Sequence, residues 1–230
     1  KTLKYLNLKG NHFSQGTHLI EGISKNPSLI YLNLNSCSIS TPACLTLSSS
    51  ISNGWGIISL DLSNNKIGSL GVSTLLTTLS GNSTVTTLNL SSNNFDSSIG
   101  PSLKKLILSN RVLNSLDLSK NRLSDTIAVI FSETLPSNDS LTDLNLATTW
   151  ITDAGAVSMA KSIVRNTSLL RLNLKDNFLS TLVGFELLDI LQSNHTLLWI
   201  DLSSNQVDTF AIDAVNSLCK RNRILLKERK

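Results

Sequence analysis

The pattern Leu-x-x-Leu-x-Leu-x-x-Asn-x-Leu returns down the whole chain, and this constrains the fold more than any single residue. Its copies open at Leu3, Leu29, Ile57, Val85, Leu113, Leu141, Leu169 and Leu197, so from the second copy onward the period is 28 residues. A fixed period in this range marks stacked units, each unable to bury its apolar face alone. A chain built this way works mainly by presenting a long repeated surface.

The sixth copy serves as a ruler. Leu141-Thr142-Asp143-Leu144-Asn145-Leu146 alternates apolar and polar residues, which predicts a short strand. Thr152 is then a candidate N-cap. Ala156, Met159, Ala160 and Ile163 follow at i, i+3, i+4 and i+7, one apolar face of a helix. An Asn row (Asn26, Asn82, Asn110, Asn138, Asn166, Asn194, Asn222) stands three residues before each new copy, with Gly54 in its place once. Asn and Gly share tolerance of left-handed backbone, so the row is read as a set of helix stops. Each unit is therefore strand, turn, helix, turn. Stacking gives a parallel sheet on one side and helices on the other. Helices are wider than the ~4.8 Å strand spacing, so the stack should curve with its strands inside.

A second Asn row (Asn11, Asn65, Asn93, Asn121, Asn177, Asn205) falls where each strand ends. A buried amide there can bond turn backbone that has no sheet partner. Cys37 and Thr149 replace it twice, and Thr149 should weaken its turn. The first unit, 26 residues from Leu3 to Leu29, should have lost its two residues between Phe13 and Leu19. Asn222-Arg223-Ile224-Leu225 begins a ninth unit, but Glu228 stands where its second apolar strand residue belongs, so no full ninth strand is expected.

On these motifs the chain resembles the leucine-rich-repeat superfamily, in its ribonuclease-inhibitor-like class of long, helix-containing repeats. The resemblance covers essentially the whole chain. It implies an α/β, right-handed solenoid of eight repeats, with residues 1–230 as a single domain that is a fragment of a longer protein or array. Relatives in the class include ribonuclease inhibitor, Ran GTPase-activating protein, tropomodulin's actin-capping domain and nucleotide-binding immune receptors. Ribonuclease inhibitor matches poorly, because it alternates two repeat types and is strongly acidic, whereas this chain reads as one type and is not acidic. A shared fold does not choose among the other roles.

Charge narrows the partners. The last eleven residues carry Lys220, Arg221, Arg223, Lys227, Arg229 and Lys230 against Glu228 alone. Removing these seven from the totals of 20 basic and 16 acidic residues leaves 14 against 15, a body of near-neutral charge. A nucleic-acid groove would spread its basic residues along one face, so no nucleic-acid partner is expected. The tail reads as a solvated chain end. No run of ~18 apolar residues is present, so no membrane span is expected either. Cys37, Cys44 and Cys219 all take core positions of the repeat, which reads as free buried thiols and a cytoplasmic setting. The five sequons, at Asn82, Asn89, Asn138, Asn166 and Asn194, are by-products of the repeat.

Three polar rows face the concave side. The first is Tyr5, Tyr31, Ser59, Thr87, Ser115, Asp143, Arg171 and Trp199; the second is Asn7, Asn33, Asp61, Asn89, Asp117, Asn145, Asn173 and Asp201; the third includes Ser63, Ser91, Ser119, Lys175 and Ser203. A further row at the strand exit holds Lys66, Asn94, Arg122, Trp150, Phe178 and Gln206. The breaks in polar default are the partner-binding candidates: Trp150, Phe178 and Arg122 at the exit, and Asp143, Arg171 and Trp199 on the concave face. Trp and Arg are the types most enriched in interface hot spots, although Arg171 can equally pair with Asp143 and stack on Trp199, and the two exit aromatics can cover each other. His12, His18 and His195 are scattered, with no metal-ligand spacing, phosphate loop or nucleophile–base pair. The sequence therefore predicts a non-catalytic, cofactor-free protein-interaction scaffold, cytoskeletal or signalling. The alternatives are a small-GTPase regulator using an exposed arginine, Arg122 or Arg171, and the sensing module of an immune receptor.

Overall fold

The computed structural model describes residues 2–13 and 16–228. Strands and helices alternate strictly. The strands are β1 (Tyr5–Asn7), β2 (Tyr31–Asn33), β3 (Ser59–Asp61), β4 (Thr87–Asn89), β5 (Ser115–Asp117), β6 (Asp143–Asn145), β7 (Arg171–Asn173) and β8 (Trp199–Asp201). The helices between and after them are α1 (Gly16–Ile23), α2 (Thr41–Ser52), α3 (Gly68–Leu79), α4 (Gly100–Ser109), α5 (Ser124–Thr134), α6 (Asp153–Ile163), α7 (Thr181–Ser193) and α8 (Thr209–Glu228). The strands form one parallel sheet in sequence order. Its register runs from Tyr5 beside Tyr31 to Arg171 beside Trp199, so each predicted row is a true lateral row. Apolar side chains between sheet and helices make a continuous core from Ile20 to Cys219. This is the expected α/β solenoid of eight repeats.

The strands are only three residues long because the chain turns sharply after each. Gly10 (φ 80°) and then Ser36, Asn64, Ser92, Lys120, Thr148, Asp176 and Ser204 (φ 54–59°) are all left-handed. The second concave row makes that turn. In all eight repeats its Asn or Asp Oδ1 accepts the N–H two residues on, from Lys9 on Asn7 to Ser203 on Asp201. The stripe of acceptors is thus first a set of turn clamps.

Beyond the turn, the ladder row works as expected but not uniformly. Asn177 donates to the carbonyls of Leu146, Leu174 and Lys175, and its Oδ1 accepts from the Thr149 and Ile151 amides. Asn65 does the same between repeats two and three. Asn93 also donates to three carbonyls, yet its buried Oδ1 has no partner. The cause is a second loop route. In repeats two, four and six, Ser38, Asn94 and Trp150 are left-handed (φ 57–67°). The chain then runs extended, and Ser40, Asp96 and Thr152 bridge to Lys66, Arg122 and Phe178. In repeats three and five the left-handed residue comes two positions later, at Gly68 (φ 70°) and Ser124 (φ 55°). Their N–H groups bond the backbone carbonyls of Asn93 and Thr149, at 3.1 and 2.9 Å. The side-chain oxygen of residue 93 or 149 is then not needed.

Two readings are corrected by this. The chain does not repeat a single unit: its loops take the two routes in turn from repeat two to repeat six, and repeat seven bridges Ser180 to Gln206 with neither Phe178 nor Ser180 left-handed. Nor does Thr149 leave a weak turn: its carbonyl takes the Ser124 amide, and its hydroxyl donates to Leu146 O at 2.7 Å. At the other exception, the Cys37 thiol takes the ladder's donor role on Leu8 O.

The helix-stop row acts by a different mechanism from the one expected. Asn110, Asn138 and Asn194 are extended, with φ/ψ of −81/135°, −101/126° and −81/125°, not left-handed. Their side chains staple adjacent repeats. Asn110 Nδ2 donates to Leu79 O and Asn82 O, while its Oδ1 accepts the Val112 and Leu113 amides. Only Gly54 is left-handed, at φ 92°. Since Asn138, Asn166 and Asn194 are buried with their amides committed, these sequons are closed to glycosylation.

Asn222 is no stop at all. It lies inside α8, buried, donating to Asn194 O and Leu197 O. Residues 222–225 continue the helix and do not open a ninth unit; no strand follows β8 among the described residues. The tail is partly structural too, since Arg221 closes the end of α7 by donating to Leu191 O and Asn194 O. The shortening of repeat one between Phe13 and Leu19 spans residues 14 and 15, outside the described residues; α1 has 8 residues against 12 in α2.

Helix starts are clasped between repeats. Thr152 occupies the N-cap of α6, but its side chain caps nothing there. Instead its amide and hydroxyl both donate to the Asp125 carboxylate. Asp153 holds Ser180 in the same way. Asp96 is bonded by the Ser98 hydroxyl, the Ser98 amide and the Ser69 hydroxyl, which hold its carboxyl below the ordinary carboxylate range. A lowered folded-state value stabilises at pH above that range and is lost as pH falls through it. Asp96→Asn should therefore melt slightly below the parent at neutral pH, and the gap should close in acid, as read by thermal denaturation at several pH values.

Candidate functional site

Side chains left unspent by the scaffold define the surface available to a partner. On the concave face, Arg171 is ion-paired with Asp143 on the neighbouring strand. Trp199 stands beside them, 38% exposed, and no stacking of Arg171 on it occurs among the described residues. Asp143, Arg171 and Trp199, with Ser115, Asp117, Asn145 and Asn173, line a hollow of about 230 Å³. A second hollow of about 290 Å³, at the rim of the sheet, is lined by Arg171, Leu198, Trp199 and Arg223. Repeats two to eight share a wider polar hollow of about 880 Å³, with Ser63, Ser91, Ser119, Lys120 and Lys175 on its walls.

At the strand exit, Arg122 lies over the Trp150 ring, 5.3 Å from its centroid. That contact is an exposed cation–π pair, worth ~0.5–1 kcal/mol. It also aims the ring outward, since Trp150 remains 48% exposed on a left-handed backbone. Phe178 is 61% exposed in the next repeat. The two aromatics do not stack: among the described residues, the one close ring pair is Tyr5 with Tyr31. Mutual cover therefore does not account for them.

The structure adds three side chains that sequence reasoning missed. Leu182 and Phe185 on α7 and Phe210 on α8 are 54%, 56% and 71% exposed. Leu182 and Phe210 stand at one repeat position, where Leu70, 66% exposed, stands in repeat three and Ser98, Thr126 and Ala154 in repeats four to six. Reading that position across repeats would have found them. Together with Trp150 and Phe178 they give the C-terminal repeats an apolar ridge along the helix starts, the kind of exposed patch that marks an interaction site.

Among the described residues, no group of three His, Cys, Asp or Glu residues is placed to hold a metal. His12 pairs with Ser38, His18 with Glu21, and His195 with Arg221, far apart along the solenoid. The three cysteines are free and buried, and burial pushes the Cys44 thiol to about 12 and the Cys219 thiol to about 11. None is a nucleophile at neutral pH. No described helix is long and apolar enough to cross a membrane.

Comparison with known proteins agrees with this geometry. A family model described as Leucine Rich repeat matches residues 57–76, 81–100, 109–129 and 137–160, each span holding one strand and the start of the following helix. No curated protein sequence matches the chain. Among solved structures, Leiomodin-1 Actin-Binding Site 2 is similar at a TM-score of 0.55 and 17% identity, over 82% of this chain and 92% of that one. The Caenorhabditis elegans tropomodulin C-terminal domain is similar at 0.53 and 15%, over 82% and 96%. Identity this low speaks for fold alone. With four units matched and all eight in one strand register, the chain carries leucine-rich repeats and stacks them as a single α/β solenoid.

Proposed function

We propose that this solenoid is a non-catalytic protein-binding scaffold of the cytoplasm, and that its partner is held by repeats six to eight. The observation that carries this reading is the uneven spending of apolar surface. Repeats three to five offer Lys66, Asn94 and Arg122 at the strand exit, with Leu70 their one strongly exposed helix-start hydrophobe, whereas Trp150 and Phe178 follow at the exit, and Phe185 and Phe210 are exposed on the helices of repeats seven and eight. Aromatic anchors of this kind dominate most interfaces. Three free buried thiols fit a reducing compartment. Actin is the partner to test first, because one similar structure is titled as an actin-binding site. The GTPase-regulator reading needs a free arginine, yet Arg122 is held on Trp150 and Arg171 on Asp143.

Co-sedimentation with filamentous actin, and anisotropy with labelled monomeric actin, test the partner. Trp150→Ala, checked for native circular dichroism, should weaken binding by ~2 kcal/mol, roughly 30-fold. Absence of binding to either form removes actin. Loss of binding on changing Ser91 and Ser119, with Trp150→Ala unaffected, places the contact in the other half of the solenoid.

A further inference from the structure

Each strand is tied to the next by the same backbone bonds. Leu198 and Trp199 donate to Leu170 O at 2.8 and 3.1 Å, while Leu174 donates to Asp201 O and Asp176 to Ser203 O, both at 2.9 Å. One repeat further on, the corresponding groups are Leu198 O, Leu202 N–H and Ser204 N–H. Among the described residues none of the three has a hydrogen-bond partner. Among the described residues the edge is left unfilled, because α8 runs on as helix to Glu228 instead of turning back after Asn222. That overrun sets Arg223 at the near end of the edge, where it shares the 290 Å³ hollow with Trp199, Leu198 and Arg171. Arg171 is neutralised by Asp143, while Arg223 has no acidic partner among the described residues. An open parallel edge, an apolar wall and an unpaired cation stand together.

We propose that the β8 edge binds an extended segment of another protein as a ninth parallel strand, with an acidic side chain of that segment set against Arg223 and Trp199. Main-chain bonds to a sheet edge supply affinity, and the side-chain pocket supplies selectivity. The chain already uses this charge pairing between neighbouring repeats, in Arg171 with Asp143 and in Arg111 with Asp139 at 3.6 Å. Charge also speaks against the opposite edge of a second copy as occupant. Lys4 and Lys9 flank β1, and Lys220, Arg223 and Lys227 lie on the α8 overrun, so like charges would meet. The edge is separate from the Trp150 ridge and stands whether or not that ridge binds actin.

The test uses the whole chain and a fluorescein-labelled peptide copying residues 139–149, which carries Asp139 and Asp143 in strand register. Saturable anisotropy is expected, with slowed hydrogen exchange at Leu202 and Ser204. Arg223→Glu should weaken it about ten-fold, as should Asn in place of both peptide aspartates. N-methylation of the peptide at Thr142 and Asp143, whose amides would meet Leu198 O, should abolish binding, and Trp150→Ala should not change it. No saturable binding up to about 1 mM overturns the proposal. So does equal binding of the N-methylated peptide, or indifference to Arg223→Glu with no protection at Leu202 and Ser204. Light scattering that shows the protein self-associating, with the peptide excluded, assigns the edge to a second copy instead.

Discussion

Asn177→Ala should cost about 4 kcal/mol of stability, whereas Asn93→Thr should cost about 1 kcal/mol, although both residues hold the same place in the repeat. Asn177 is buried, with three carbonyls on its Nδ2 and the Thr149 and Ile151 amides on its Oδ1. Truncation strands both amides, although Leu146 O keeps the Thr149 hydroxyl. Each stranded buried group costs ~1–3 kcal/mol. Asn93 differs because its Oδ1 is already idle. Asn65 also donates to Leu62 O, so that carbonyl keeps a partner when Asn93 is lost. Thr149 shows natively that a threonine fits there, bonding the carbonyl three residues back. Chemical denaturation of the two variants measures the contrast. Equal costs would mean that the two loop routes do not govern the ladder. Because each repeat touches only its neighbours, the Asn177 loss should appear first as earlier exchange in repeats six to eight.

This contrast also marks how far the sequence could be read. The 28-residue period sets the strand register, the helix faces and both Asn rows, because buried apolar and amide positions tolerate few residue types. The loop alternation is hidden, since Lys66 and Arg122 share a repeat position with Asn94 and Trp150. The left-handed choice goes with contacts to the next repeat, such as the bridge of Asp96 to Arg122, and these are not written in the residue itself. The α8 overrun was hidden for a related reason. Asn222 and the apolar Ile224-Leu225 imitate a stop and a new strand, but Asn222 lies within α8 with its amide on Asn194 O and Leu197 O, and the segment keeps its helical bonds. Trp150 and Phe178 were legible because they break a polar row. Leu182, Phe185 and Phe210 were not, because an apolar residue within a helix pattern does not by itself show which way it faces. Exposure across one repeat position, not hydrophobicity, separates them.

Gly184→Val should destabilise the C-terminal end by about 3 kcal/mol, near the upper end for overpacking a closed helix contact. A Cβ at this position would stand 2.7 Å from Ala211 Cβ and 3.0 Å from Val207 Cγ1, so α7 and α8 approach as closely as they do because residue 184 has no side chain. Both neighbours are buried, and Ala211 has no flexible arm to withdraw. Relief must come from moving α8 outward, and α8 carries much of what is proposed above. It holds Arg221 on the end of α7, Asn222 on Leu197 O, Phe210 on the ridge and Arg223 at the β8 edge. The variant should therefore lose affinity for the residue 139–149 peptide while exchange in repeats two to five stays native, read by hydrogen exchange and anisotropy on one sample. Gly22→Ala is the control. A Cβ there meets nothing within 4 Å, so the helix-forming preference of alanine should leave α1 unchanged or stabilise it by ~0.5–1 kcal/mol. A neutral Gly184→Val, or one that disturbs the N-terminal repeats as much as the eighth, would show that the close α7–α8 contact does not hold the C-terminal surface in place.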